Sequence, residues 1–350
     1  MSLDDANLKA LYKKAYIFYL MKSYDESINI LEYLNKLIVS DEVLLLAARV
    51  SLLLGDYENG MNYYELSLDR DIFNYENYTN EIIFFGEEKW KYVSQDYLKF
   101  YRYSIDLCDL LLEKYDDVDT KLWKSYMFYL LNDYEESLKL SDNIFPLISD
   151  NLLVYFLKAE NLLKLKRYEE SVKFSEKGLD LDSSNILLIQ TKAKVLYFLK
   201  EYEESLYCFN KVNGIGENDE AYLFIAKINM ACDDWHKALW NIDKSICGLE
   251  EFYDNLKKEY SEIYYRANYF DLFWHKSLIL FKLERFDDAN DIIDCLIEKE
   301  ESAKNYCLKA KILYEMGDYE NALMFVNKAL DLKPDCREAI QLKENLINSS

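Results

Sequence analysis

The sequence predicts an all-α solenoid, a stack of helix pairs closed by a C-terminal capping helix, and three observations predict it. Only 8 Gly and 2 Pro occur in 350 residues, where average usage is about 7% and about 5%. Hydrophobic residues make up 51% of the chain, and Tyr alone contributes 32. A short aromatic–acid–acid phrase recurs at a nearly constant step. The scarcity of turn-formers excludes collagen-like, Pro/Gly-rich and many-turned β chains. The apolar content excludes a disordered acidic chain, because it suffices for a large core.

The recurring phrase reads Tyr24-Asp25-Glu26-Ser27, Tyr134-Glu135-Glu136-Ser137, Tyr168-Glu169-Glu170-Ser171 and Tyr202-Glu203-Glu204-Ser205. Looser copies begin at Tyr57, Trp235, Phe286 and Tyr319. The separations between these anchors are 33, 77, 34, 34, 33, 51 and 33 residues, so five of seven agree within one residue. Self-similarity at such a period marks a stack of supersecondary units. Nine residues before the anchors lie Ala15, Ala48, Ser125, Ala159, Ala193, Ala226, Ser277 and Ala310, and three residues after each comes Ser, Gly or Ala. Small side chains at both places let two helices approach near the lower end of the usual 8–10 Å axis separation. Each anchor aromatic then falls just past a turn, where it fills the wedge between one pair and the next.

This pattern resembles the tetratricopeptide repeat (TPR) family, whose helix–turn–helix units stack into a right-handed superhelix. The fullest copy is Ala303–Cys336, where Tyr306, Ala310, Gly317-Asp318-Tyr319, Ala322, Ala329 and Pro334 match the family's places, and Gly55-Asp56-Tyr57 repeats the same turn. The repeat-closing proline appears only as Pro334, and the late small place of the second helix is bulky at Leu34, Ile144, Val212 and Leu296. Those copies are expected to pack less tightly or at altered angles. The resemblance implies one right-handed superhelical TPR-like domain over residues 1–350, with repeats at about 8–40, 41–73, 118–151, 152–185, 186–218, 219–269, 270–302 and 303–336. A degenerate pair at 74–117 and a cap at 337–348 complete it.

Two intervals depart from the step. Placing a degenerate anchor at Trp90 predicts a helix at Glu76–Phe85, a turn at Gly86-Glu87-Glu88 and a second helix over about Tyr92–Lys114. That second helix would be about three turns longer than its neighbours, since 11 extra residues rise roughly 16 Å. Glu81 and Val93 would occupy the small places, so this pair cannot pack as the others do. The 51-residue interval carries its extra residues in Cys247–Ala267, whose aromatics keep helical spacing. An extended or additional helix is expected there, broken near Gly248. After Pro334, Asp335–Ile347 reads as the final helix, with Glu338, Gln341, Lys343 and Glu344 giving the polar outer face that a cap requires.

The formal charge is 42 − 64 = −22, so the surface is strongly acidic. Such a charge repels polyanions, so neither nucleic acid nor an anionic membrane surface is an expected partner. The seven cysteines (Cys108, Cys208, Cys232, Cys247, Cys295, Cys307 and Cys336) are irregularly spaced with no C-x-x-C pair, which suits reduced thiols in the cytosol. The uncharged run Ala15–Met21 is too short to span a bilayer and precedes no small-residue cleavage site. A cytoplasmic protein is expected.

No catalytic constellation is visible. His236 and His275 are the two histidines, and neither has a partner at i+3 or i+4 that would complete a ligand set. Phosphate-loop, dinucleotide and nucleophile-elbow motifs are missing, and the Glu pairs at helix starts complement the helix dipole. The expectation is no enzyme, no cofactor and no metal site.

A ligand of such a stack would meet the first helices of the pairs, at places 12, 8 and 5 before each anchor. The candidates are Tyr12, Tyr16, Tyr19, Tyr126, Tyr129, Phe156, Lys194, Tyr197, Lys227, Trp274 and Lys311. Tyr presents a large amphipathic face at low entropy cost. The row of Lys194, Lys227 and Lys311 forms a local basic strip, effective within a screening length of about 8 Å. The expected partner is an extended or helical segment of another protein, its side chains on the tyrosines and an acidic or C-terminal group near Lys194 and Lys227. The TPR family that this chain resembles includes chaperone adaptors, whose clamp wants Lys at the Tyr12-type place and Asn at the Tyr16-type place. No copy here combines them, so a carboxylate-clamp co-chaperone is disfavoured. The expected role is a protein–protein interaction scaffold or adaptor; the alternatives are a peptide-responsive regulator and a structural subunit of a larger assembly. No feature selects an oligomeric state.

Overall fold

Each recurring aromatic is the first residue of a helix. A computed structural model describes residues 5–38, 40–70, 75–86, 98–216, 218–255 and 261–349. Among them are nineteen helices and no strand. They fall into two compact units, divided between Leu131 and Asn132. The first unit contains α1 (Asp5–Leu20), α2 (Tyr24–Leu37), α3 (Asp41–Leu54), α4 (Tyr57–Arg70), α5 (Tyr75–Gly86), α6 (Leu98–Lys114) and α7 (Val118–Leu130). The second contains α8 (Tyr134–Ile144), α9 (Leu152–Lys164), α10 (Tyr168–Leu181), α11 (Ile186–Phe198), α12 (Tyr202–Ile215) and α13 (Asp219–Ala231). It continues with α14 (Trp235–Asn255), α15 (Ser261–Lys282), α16 (Phe286–Lys299), α17 (Ala303–Glu315), α18 (Tyr319–Leu332) and α19 (Arg337–Ser349).

The turn before every anchor aromatic has one shape. Two residues ahead of each anchor the backbone is left-handed, at Lys22, Gly55, Asn132, Lys166, Lys200, Asp233, Glu284 and Gly317, with φ between 60° and 87°. At seven of them the N–H of the following residue reaches back five places, as in Arg167 to Leu162 (2.8 Å), Glu201 to Leu196 (2.9 Å) and Asp318 to Leu313 (2.9 Å). This is the Schellman arrangement, which satisfies the last carbonyls of the first helix and fixes where the second begins. Glycine occupies only two of the eight left-handed places, so the other six carry backbone strain that the packing sustains.

Both small places are buried in every copy. Ala15, Ala48, Ser125, Ala159, Ala193, Ala226, Ser277 and Ala310 are all 0% exposed. In three copies the partner is a serine whose hydroxyl donates to the facing backbone: Ser27 to the Ala15 carbonyl (2.9 Å), Ser171 to Ala159 (2.6 Å) and Ser205 to Ala193 (2.7 Å). Ser277 does the same in reverse, to Ala289 (2.9 Å). Only small side chains bring a hydroxyl so near another helix's backbone, and each such bond contributes about 1 kcal/mol. The bulky late places, Leu34, Ile144, Val212 and Leu296, are no more than 1% exposed and fill the core.

The irregular pair crosses at a different register from the expected one. Trp90 and Val93 lie outside the described residues, and so does the start of the expected second helix. The described part of that helix, α6, covers Leu98–Lys114 and ends where the sequence predicts. The equivalent serine contact runs from Ser104 to the Ile82 carbonyl (2.9 Å), 22 residues apart instead of 12. The added residues therefore fall between the crossing places. Glu81, one residue off the crossing, is buried as an acceptor for Tyr64 (2.7 Å) and Arg49 (2.9 Å).

In the longer interval the insertion lengthens two helices, α14 to 21 residues and α15 to 22. The expected break near Gly248 is absent, since α14 runs through it. Glycine is there for proximity: a Cβ would lie 1.8 Å from an Asp219 carboxylate oxygen at the start of α13. At the end of the chain, α19 buries Ala339, Leu342 and Leu346 against α17 and α18 and exposes Glu338, Gln341 and Glu344.

Lys200→Gly and Glu284→Gly should each raise stability in urea unfolding by about 1 kcal/mol, because they release the left-handed strain. Gly317→Lys should lower it by a similar amount.

Candidate functional site

The first helices of the second unit, α9, α11, α13, α15 and α17, carry Phe156, Lys194, Tyr197, Lys227, Trp274 and Lys311. Tyr12, Tyr16 and Tyr19 lie on α1 and Tyr126 and Tyr129 on α7, in the first unit. None of these eleven is fully buried. Tyr16 and Tyr19 are neighbours with ring centroids 5.8 Å apart, and Tyr126 stacks on Tyr129 at 6.2 Å. In the second unit Tyr197 packs on Phe198 (5.2 Å) and, across to α13, on Phe224 (5.3 Å).

The lysine row is charge-compensated. Lys194 pairs with Glu220 (2.8 Å), Lys227 with Asp271 (3.0 Å) and Lys311 with Glu338. Each bond leaves one first helix and ends on the next element of the same row. Arg49 to Glu81 makes the same step from α3 to α5, and Thr191 to Glu160 (2.6 Å) makes it between α11 and α9. Burial opposes the Arg49 charge, but the Glu81 bonds outweigh it and hold the guanidinium well above its ordinary range. The row is thus a ladder of inter-pair ties. An incoming carboxylate would have to displace Glu220 or Asp271 to reach Lys194 or Lys227.

A second ladder of lysines runs along the same first helices. Lys124, Lys158, Lys192, Lys276 and Lys309 reach acids on the preceding second helix: Asp109, Asp142, Glu176 (2.9 Å), Asp243 (2.8 Å) and Asp294 (2.6 Å). Lys158 and Lys309 keep only 6% of their side chains exposed. Lys158 also lies 4.3 Å from the Phe174 ring centroid, a favourable cation–π distance. The signal was available: Lys directly precedes the small residue in six of the eight copies, from Lys14-Ala15 to Lys309-Ala310.

One hollow on the first-helix row gathers donors. A cavity of about 340 Å³ lies between α15, α17 and the start of α19, lined by Trp274, Leu278, Lys304, Cys307, Leu308, Lys311, Lys333, Cys336 and Glu338. Lys304 Nζ stands 3.5 Å from the centroid of the Trp274 ring. Loss of water there pulls the Lys304 ammonium below its ordinary range, against the pull of Asp271. The Trp274 indole Nε1 is buried with no hydrogen-bond partner. A larger hollow of about 540 Å³, lined by Glu135, Lys139, Asp142 and Arg167 among others, is a broad depression with no aromatic in its wall.

His275, beside Trp274, bonds through Nδ1 to the Asp271 carbonyl oxygen (2.6 Å). Burial pushes its imidazole below the ordinary range; Asp271 opposes this, and Lys227 and Lys304 add to it. Among the described residues no group of three or more His, Cys, Asp or Glu is placed to hold a metal, and no helix is long and apolar enough to cross a membrane.

Residues 153–185 and 303–336 match the model of the tetratricopeptide repeat family. No curated protein sequence matches. Three solved structures share the fold, each at 13% identity. A tetratricopeptide repeat protein from Parabacteroides merdae covers 78% of this chain and 100% of its own, with a TM-score of 0.51. PilF of Pseudomonas aeruginosa covers 65% and 97%, with 0.52. PilW, a type IV pilus biogenesis factor, covers 64% and 97%, with 0.54. At that identity the likeness is one of fold.

The depressed His275 predicts a pH dependence. A folded-state pKa below the unfolded value gives stability that is present above the ordinary imidazole range and lost as pH falls through the folded value. Between pH 7.5 and 5.5 the melting temperature of the protein should fall further than that of His275→Gln.

Proposed function

Because the chain carries tetratricopeptide repeats, we propose that it is a non-enzymatic scaffold that binds a segment of a partner protein along the first-helix face of its second unit. The cavity at Trp274 supports this reading most directly. It combines a buried indole N–H without an acceptor, a lysine lying on the ring and two further lysines against one glutamate. Such a surplus of donors suits an acidic side chain or a terminal carboxylate, and Leu278 and Leu308 suit an apolar neighbour. Tyr197 and Phe224 continue the face with aromatic surface of the kind that dominates binding hot spots. The acid-binding place is assigned to Lys304 and Lys333, not to Lys194 and Lys227, because those two already hold Glu220 and Asp271. The aromatic stretches of α1 and α7 are proposed as further contact surface in the first unit.

Photo-cross-linking in the native cell tests which face is used. With the cross-linker at Tyr197 or Leu278, partner adducts should form; at Tyr207, which is 70% exposed on α12, they should not. Adducts confined to Tyr207 would contradict the reading. For a partner so captured, Lys304→Glu with Lys333→Glu should weaken binding at least tenfold, the loss of about 1.4 kcal/mol.

A further inference from the structure

The seven cysteines include two that meet. Cys307 lies on α17 and is 5% exposed, and Cys336 lies in the turn that opens α19 and is half-buried. Their Sγ atoms are 3.4 Å apart. Cys336 is set by two backbone bonds, its N–H to the Lys333 carbonyl (3.1 Å) and its carbonyl to the Ile340 N–H (3.0 Å), and so forms the first corner of the cap. A disulfide needs about 2.05 Å between sulfurs. The turn therefore has to close by only about 1.4 Å, and nothing separates the two atoms.

We propose that Cys307 and Cys336 are a reversible thiol–disulfide pair, oxidised by a low-molecular-weight disulfide, that ties the capping helix to α17 and narrows the cavity both thiols line. The proposal does not depend on what the cavity binds. Cys336 is the entry point, because its sulfur is the more accessible. Its thiolate attacks the small disulfide, forming a mixed disulfide and releasing one small thiol. Cys307 then attacks the Cys336 sulfur, the protein S–S bond forms, and a second small thiol departs with the Cys307 proton. Two protein thiols are oxidised and one small disulfide is reduced to two thiols. Burial first, and then the facing Cys336, push the Cys307 thiol up to about 12, so in the reduced protein Cys307 keeps its proton. The other cysteines stand in different surroundings: Cys108 and Cys208 are buried, and Cys232, Cys247 and Cys295 are exposed.

The intact chain equilibrated in glutathione buffers of increasing oxidised fraction, then acid-trapped, alkylated and digested, tests the pair. A cross-linked peptide joining Cys307 to Cys336, lighter by two hydrogen atoms, should appear while Cys108 and Cys208 still alkylate. Amide exchange in α19 should slow at least threefold with it. Cys307→Ser should stop at a glutathione adduct on Cys336, with α19 exchanging as in the reduced protein. A wild-type chain that carries only glutathione adducts, or that forms the bond without slowing α19, would overturn the proposal.

Discussion

A hairpin of two helices, each three to four turns long, cannot cover its own apolar surface, and that constraint governs both units. α9 shows it most plainly: Val154, Tyr155, Leu157, Lys158, Ala159, Glu160, Asn161, Leu162 and Leu163 are all buried, on every side of a 13-residue helix. One side meets α10 at Ala159, another meets α8, and a third meets α11. Stability in such a stack is a sum of local terms and nearest-neighbour interfaces. The small residues permit the crossing within a pair, and the lysine ladders tie neighbouring elements in both directions. Charge that sequence alone would assign to a ligand is used to hold the stack in register.

Much of this was legible in the chain. The anchors at Tyr24, Tyr57, Tyr134, Tyr168, Tyr202, Trp235, Phe286 and Tyr319 are the first residues of eight helices. The small places are the buried crossings. Both signals are readable because sterics leave few substitutes there. The turn was less visible: six of its eight left-handed residues are Lys, Asn, Asp or Glu, where glycine would be the usual sign. The irregular pair hid its register because Ser104, its true small residue, stands ten places beyond the regular spacing. Gly248 misled for a related reason, since glycine serves close approach as readily as helix ending.

The candidate site was legible by position and not by partnership. Spacing put Trp274 and Lys311 on the first-helix face, and they do line one cavity. Spacing could not reveal that Lys194, Lys227 and Lys311 are matched by Glu220, Asp271 and Glu338, because those acids come from the next element at intervals of 26, 44 and 27 residues. Spacing does not mark Lys304 and Lys333, which fall outside the repeating places. The repeated helix pair supplies the platform, and side chains off the repeat pattern supply what is particular to this chain.

The claim that each pair is held mainly by its neighbours is tested most directly by native-state hydrogen exchange on Ala193→Leu, which overfills the crossing of α11 with α12. The account predicts that amide protection falls most in α11 and α12, less in α10 and α13, and not at all in α17 and α18. An equal loss of protection throughout α8 to α19 would contradict it, because it would mean that the second unit folds around one shared core.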